Sequence, residues 1–213
     1  MKAGPAPPSS EARVTNTHSS VIAVIGFGSL IWRIRSRTGK LRLSSLWHAD
    51  GPSLPVEYAR ISKNGRLTLV IVPSAEPQRT LWAYSSFVKL TDAKENLRRR
   101  EGKVNSKYIG VWESGGTLGN DVIGLTISKW ARGREIRGVV WTGLPPKDSS
   151  GQARPMTADE ALEYLTSLKG WKRRSAKDYI TRTPAQIDTE VRRLVRSRLG
   201  WNDRRLPADL FEN

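Results

Sequence analysis

Residues 21–32 read VIAVIGFGSLIW, and the first six of them decide how the fold begins. A short apolar run closed by a glycine is the pattern of a buried strand that stops at a turn. A glycine-containing turn at a strand end leaves backbone N–H groups accessible to a carboxylate or a phosphate. Two readings stay open at this point: a plain β-turn between two strands, or an anion-binding loop. A dinucleotide-binding fingerprint is disfavoured. Position 31, where its third glycine would stand, is Ile, and no helix pattern follows among Arg33, Arg35 and Arg37.

Working outward, residues 1–20 (MKAGPAPPSSEARVTNTHSS) are rich in Pro, Ser and Thr and offer almost nothing to bury, which predicts a disordered tail. The fold is expected to occupy residues 21–213. Residues 55–72 carry two strand-like runs, PVEYARIS and RLTLVIV, joined around Asn64-Gly65, a pair suited to positive φ and hence to a hairpin. LWAYSSFV, KYIGVW, VIGLTI and RGVVWTGL are further strand candidates, rich in β-branched or aromatic residues.

Three helices are expected. One starts near Thr91 or Asp92 and ends at Gly102. A capping box at Thr157 to Glu160 opens a second, with Gly170 as its stop; another at Thr183 to Gln186, with Pro184 at the first helical position, opens a third that ends at Gly200. Strands clustered in the centre with helices inserted and appended predict an α+β domain rather than an alternating α/β one, its sheet partly closed or strongly curved.

Composition narrows the chemistry. The chain has no cysteine, which excludes a disulfide scaffold, a thiolate metal site and a cysteine nucleophile. Of its two histidines His18 falls in the tail, so His48 is the only imidazole in the expected fold and a histidine-rich metal site is excluded. No GxSxG elbow occurs; Gly26-Phe27-Gly28-Ser29-Leu30 has the wrong spacing. Catalysis must rest on carboxylates, hydroxyls, Lys/Arg or backbone groups. No apolar run is long enough for a membrane span, and a cytoplasmic protein is expected. Oligomeric state is not legible.

Among the carboxylates, Glu101 stands out. A helix over residues 92–101 puts Ala93, Leu97 and Glu101 at i, i+4 and i+8 on one face, with Arg98 and Arg99 pointing elsewhere. A carboxylate on an apolar stripe, partly withdrawn from water at the negative end of a helix, is suited to taking up a proton as a general base. The alternative is a solvated glutamate paired with Arg98, or with Lys103 and nearby basic side chains.

Thirty-six Lys and Arg against 20 Asp and Glu give a formal charge of +16. Residues 171–205 hold eleven of the basic residues against four acids, a candidate footprint for a phosphate backbone. These arginines alternate with apolar positions of an amphipathic helix, and no RNA- or DNA-binding motif appears, so nucleic acid is a disfavoured partner.

Taken together, Phe27-Gly28-Ser29-Leu30 followed by Ile31-Trp32 after a strand, and the segment Arg100-Glu101-Gly102 at the end of a helix, resemble the γ-glutamylcyclotransferase superfamily and its ChaC-like branch. GRLTLVIVP and GVVWTGLPP resemble strands of the same group less specifically. The resemblance implies a small mixed β-barrel with flanking helices, a small γ-glutamyl substrate and cyclisation to 5-oxoproline without metal or other cofactor. It implies Glu101 as the catalytic acid and base, and Phe27, Gly28, Ser29 and Leu30 as the substrate-binding loop. Phe27 departs from the pattern, because it stands where the family has a tyrosine and so lacks a hydroxyl. That departure leaves a second expectation open, a member that binds a small anionic ligand without turning it over. Arg60, on the hairpin, is a further candidate partner for a substrate carboxylate.

Overall fold

The computed structural model describes residues 21–116 and 121–212, so the expected tail at 1–20 lies outside the described residues. The chain forms β1 (Ile22–Gly26), β2 (Ser53–Ile61), β3 (Leu67–Ile71), β4 (Pro77–Arg79) and β5 (Leu81–Tyr84) before its first helix, α1 (Leu90–Arg100). There follow β6 (Ile109–Glu113), α2 (Val122–Arg132), β7 (Gly138–Thr142), α3 (Ala158–Ser167), α4 (Gly170–Thr181) and α5 (Glu190–Leu199). The class is α+β, as expected.

Every residue of β1 is buried, which explains its unbroken apolar sequence. It pairs antiparallel with β5 and parallel with β7, and β6 completes a sheet ordered β5-β1-β7-β6. The expected hairpin forms: β2 pairs antiparallel with β3, and Gly65 takes φ +70° in the turn, a conformation that costs glycine little. β4 adds to the other edge of β2. The strand pairings close neither sheet into a ring among the described residues. One apolar core runs from Ile22 to Trp201 and is filled by Ile25, Trp47, Tyr58, Leu97 and Leu165 among others.

The helices depart from expectation in four places. VIGLTI, expected as a strand, is the first half of α2: the Asp121 carboxylate accepts hydrogen bonds from the Ile123 and Gly124 amides and caps the helix. Its buried residues Ile123, Ile127 and Ala131 follow helical spacing. The capping box at Thr157 forms, but α3 ends at Ser167, and Gly170, expected as its stop, instead begins α4 with φ +56°. α4 is absent from the sequence expectation, since GWKRRSAKDYIT has few apolar residues to mark a buried stripe and no side-chain cap.

The last helix starts at Glu190, capped by Thr189, and not at Pro184. The cause is Arg192, fully buried, whose guanidinium collects the carbonyls of Thr183, Pro184 and Ile187 and pairs with Asp203. Two of those carbonyls, at Thr183 and Pro184, would have to face amides four residues on if the segment were helical. No helix among the described residues is long and apolar enough to cross a membrane.

Candidate functional site

The segment after β1 folds into a single compact turn in which Ile31 donates to the Gly28 carbonyl at 3.1 Å and Arg33 to that of Ser29 at 2.9 Å. The amides of Gly28, Ser29 and Leu30 donate to no acceptor among the described residues. Phe27 and Leu30 are each 5% exposed and turn into the core, while Ser29 is half-buried. The turn therefore hangs on two apolar side chains, with Gly28 also buried and Ser29 its most exposed residue.

Helix α1 brings the carboxylate to this turn. Ala93 and Leu97 are buried as expected, and Glu101 caps the helix C-terminus. The end is fixed by a Schellman motif: Gly102, at φ +90°, donates to the Arg99 carbonyl, and Lys103 to that of Arg98. Arg98 and Arg99 both turn away to Glu95, which their positive charges hold at a pKa of about 2. Neither Arg98 nor Lys103 pairs with Glu101 among the described residues, but a neighbouring basic side chain does, as the alternative reading allows, although the carboxylate is not solvated.

Its partner is Arg100. The Arg100 Nη1 donates to Glu101 Oε1 at 2.6 Å, and the two side chains are 7% and 15% exposed. The rest of the guanidinium is taken by the turn: Nη2 reaches the Ser29 carbonyl at 2.8 Å, Ser29 Oγ at 3.2 Å and the Arg33 carbonyl at 2.6 Å, and Nε also bonds Arg33. Arg100 thus ties the predicted base to the predicted loop. Both effects expected of Glu101 occur together: it is partly withdrawn from water, and it is paired.

Tyr179 of α4 closes the other side. Its ring meets Trp32 edge-on with centroids 5.4 Å apart, and its hydroxyl packs against the Gly28 backbone. A Cβ at Gly28 would lie 2.5 Å from that hydroxyl, inside any tolerable contact. Gly28→Ala should displace the turn or Tyr179 and destabilise by about 1–3 kcal/mol, the usual range for overpacking. An unchanged denaturation midpoint would show that the contact has no such consequence. Burial pushes the Tyr179 phenol above its ordinary pKa, against the nearby charges of Arg66 and Arg100, so it is a neutral hydroxyl at neutral pH. A hydroxyl absent from Phe27 is in this way present beside the same turn.

Arg60 is placed elsewhere: its Nη1 donates to the Pro145 carbonyl at 2.7 Å. His48 stacks on Trp82 with centroids 4.2 Å apart and takes no part in the turn. Two surface clefts of about 290 Å³ are lined by other residues, one around Leu41, Trp47 and Leu210 and one around Ile22, Tyr84 and Phe87. Neither includes Gly28, Ser29 or Glu101, so side-chain chemistry and not cavity size locates the candidate site.

Five of the eleven basic residues of 171–205 are ion-paired among the described residues. Arg182 and Arg204 pair with Asp178, Arg192 with Asp203, Arg193 with Glu76 and Arg196 with Asp188. Arg173 lies over Trp201 and donates to the Leu165 carbonyl. Apart from Glu76 the partners are acids of the same segment, so these pairs hold the helices together while the positive surplus of 171–205 remains.

Comparison with protein-family models, with curated proteins and with solved structures finds no match.

Three residues at this site escaped the sequence reading. Arg100 is one of three consecutive arginines, and Tyr179 lies on a helix whose composition hides it. Arg66 follows the hairpin turn, where a solvated arginine is the ordinary reading.

Proposed function

We propose that the protein is a cofactor-free γ-glutamylcyclotransferase-like enzyme of the cytoplasm, with the small mixed barrel of that superfamily. The observation that supports this most is the Arg100 bridge. It links the Glu101 carboxylate to a turn with three uncommitted backbone amides, and it does so between the two segments that carry the resemblance.

The chemistry follows from those groups. In a γ-glutamyl compound the α-ammonium gives a proton to the Glu101 carboxylate, and the freed amine attacks its own γ-carbonyl. A five-membered ring closes as the C–N bond forms. The developing oxyanion is met by the Gly28, Ser29 and Leu30 amides, dipoles fixed before reaction. Glu101 passes its proton to the departing nitrogen and the C–N bond to the leaving amine breaks as the oxyanion collapses to the lactam carbonyl; the ring nitrogen gives its extra proton to the same carboxylate, which hands it on to the freed amine. The products are 5-oxoproline and the amine. Holding the chain in its cyclising conformation supplies much of the remaining acceleration.

The test is 5-oxoproline release from a panel of γ-glutamyl amines. Glu101→Gln keeps the side chain's shape and removes its ability to accept a proton, so turnover should fall by about 100-fold or more. Equal release by both proteins would remove Glu101 from the reaction. Absence of release by the parent would refute the cyclisation reading and favour a member that only binds an anion, the possibility raised by Phe27.

A further inference from the structure

Arg66 stands between the hairpin turn and the first residue of β3, and its guanidinium lies 5.3 Å from the centroid of the Tyr179 ring. No hydrogen bond from its side chain is made among the described residues, and Nε is buried without a partner. A buried guanidinium N–H left unsatisfied is costly, and natural structures rarely keep one without a purpose. Burial lowers its pKa from the ordinary arginine value; Tyr179 and Asp178 act against that shift, and the Arg33 and Arg100 charges act with it. Arg100 is fully committed to Ser29, Arg33 and Glu101, and Arg33 is exposed. Arg66 is therefore the cation at this site that is both sheltered and uncommitted.

We propose that Arg66 binds the α-carboxylate of the γ-glutamyl group, with the Tyr179 ring as the platform beneath the guanidinium. The inference rests on the cyclisation reading above, and geometry gives the choice of carboxylate. The carbon that carries the reacting amine also carries the α-carboxylate, so an amine delivered to Glu101 brings the carboxylate carbon within two bonds of the amine nitrogen. Tyr179 touches the Gly28 backbone and feels the charges of both Arg66 and Glu101, which puts all three groups around one small volume. A guanidinium fork matches a carboxylate in two parallel hydrogen bonds, a geometry that lysine does not reproduce.

The experiment compares amine release from a γ-glutamyl amine with release from the same compound carrying an α-carboxamide, using the parent protein and Arg66→Gln. A charge-assisted hydrogen-bonded pair predicts that the parent loses about 10- to 100-fold in kcat/KM on the carboxamide, mostly through KM. Arg66→Gln should lose as much on the carboxylate substrate and be indifferent to the swap, and Arg66→Lys should recover part of the loss. A parent indifferent to the carboxamide would overturn the proposal without the need for any variant, and so would an Arg66→Gln protein that still discriminates. If the parent releases no amine from any substrate, the cyclisation reading fails by itself. Calorimetry with L-glutamate and 5-oxoproline then decides about Arg66: binding lost in Arg66→Gln supports it, and binding that is absent or unchanged overturns it.

Discussion

Arg100→Met is expected to lower stability by about 3–5 kcal/mol, the cost of removing one partner of a buried ion pair, and to abolish turnover in the same step. The variant strands the Glu101 carboxylate and leaves the Ser29 and Arg33 carbonyls without their shared donor. Both halves of the proposed site lose position together, whereas Glu101→Gln removes only the proton acceptor. Arg100→Lys separates the roles. An ammonium retains the charge but has no planar fork with which to serve two carbonyls and a carboxylate, so stability should recover in part and turnover little. Urea denaturation and 5-oxoproline release on the folded fraction provide the two readings. A variant within about 1 kcal/mol of the parent would mean that the bridge has little of the energy expected for a buried pair.

Arg192→Met should be comparably damaging, by about 3–5 kcal/mol, although it lies away from the candidate site. The side chain is fully buried and organises residues 183–187 by collecting three carbonyls while Asp203 balances its charge. Met fills similar volume, which limits the cavity contribution and leaves the orphaned acceptors as the main cost. Two such acceptors, at Thr183 and Ile187, have no other donor among the described residues, whereas Pro184 keeps the Ile187 amide; Thr183 lies beside Tyr58, whose hydroxyl donates to its Oγ1 at 2.6 Å. A midpoint shift confined to a fraction of a kcal/mol would show that water replaces the guanidinium there. Turnover measured below the new midpoint should be nearly normal, in contrast to Arg100→Met.

These two arginines also mark where the sequence was readable and where it was not. β1, the hairpin around Gly65 and the face of α1 that carries Glu101 follow from local patterns that the rest of the molecule leaves undisturbed. Residues 122–127 are β-branched enough to suggest a strand, yet the Asp121 cap and the spacing of Ile123, Ile127 and Ala131 prevail. At Thr183-Pro184 a good local helix start is overruled by a side chain nine residues later, which competes for the same carbonyls. Nothing local distinguishes Arg100 from Arg98 and Arg99; only the helix register against a distant turn assigns it to the loop. Tyr179 and Arg66 reach the site by tertiary packing alone, so their meeting was invisible before the fold was known.

The placement of β1 between β5 and β7 has a consequence for the order of events in folding. Its parallel partner Gly138 lies far along the chain from Ile22, and Tyr179 comes later still. Closing loops of that length precedes any gain from the contacts they permit, so β1 is expected to be anchored on both edges late. A growing chain that stops before β7 holds residues 27–30 on a strand with one open edge. The chemistry proposed for this turn can then exist only in molecules that have completed their long-range pairing, and ligand binding at Gly28 to Glu101 would report on the finished fold rather than on any early subdomain.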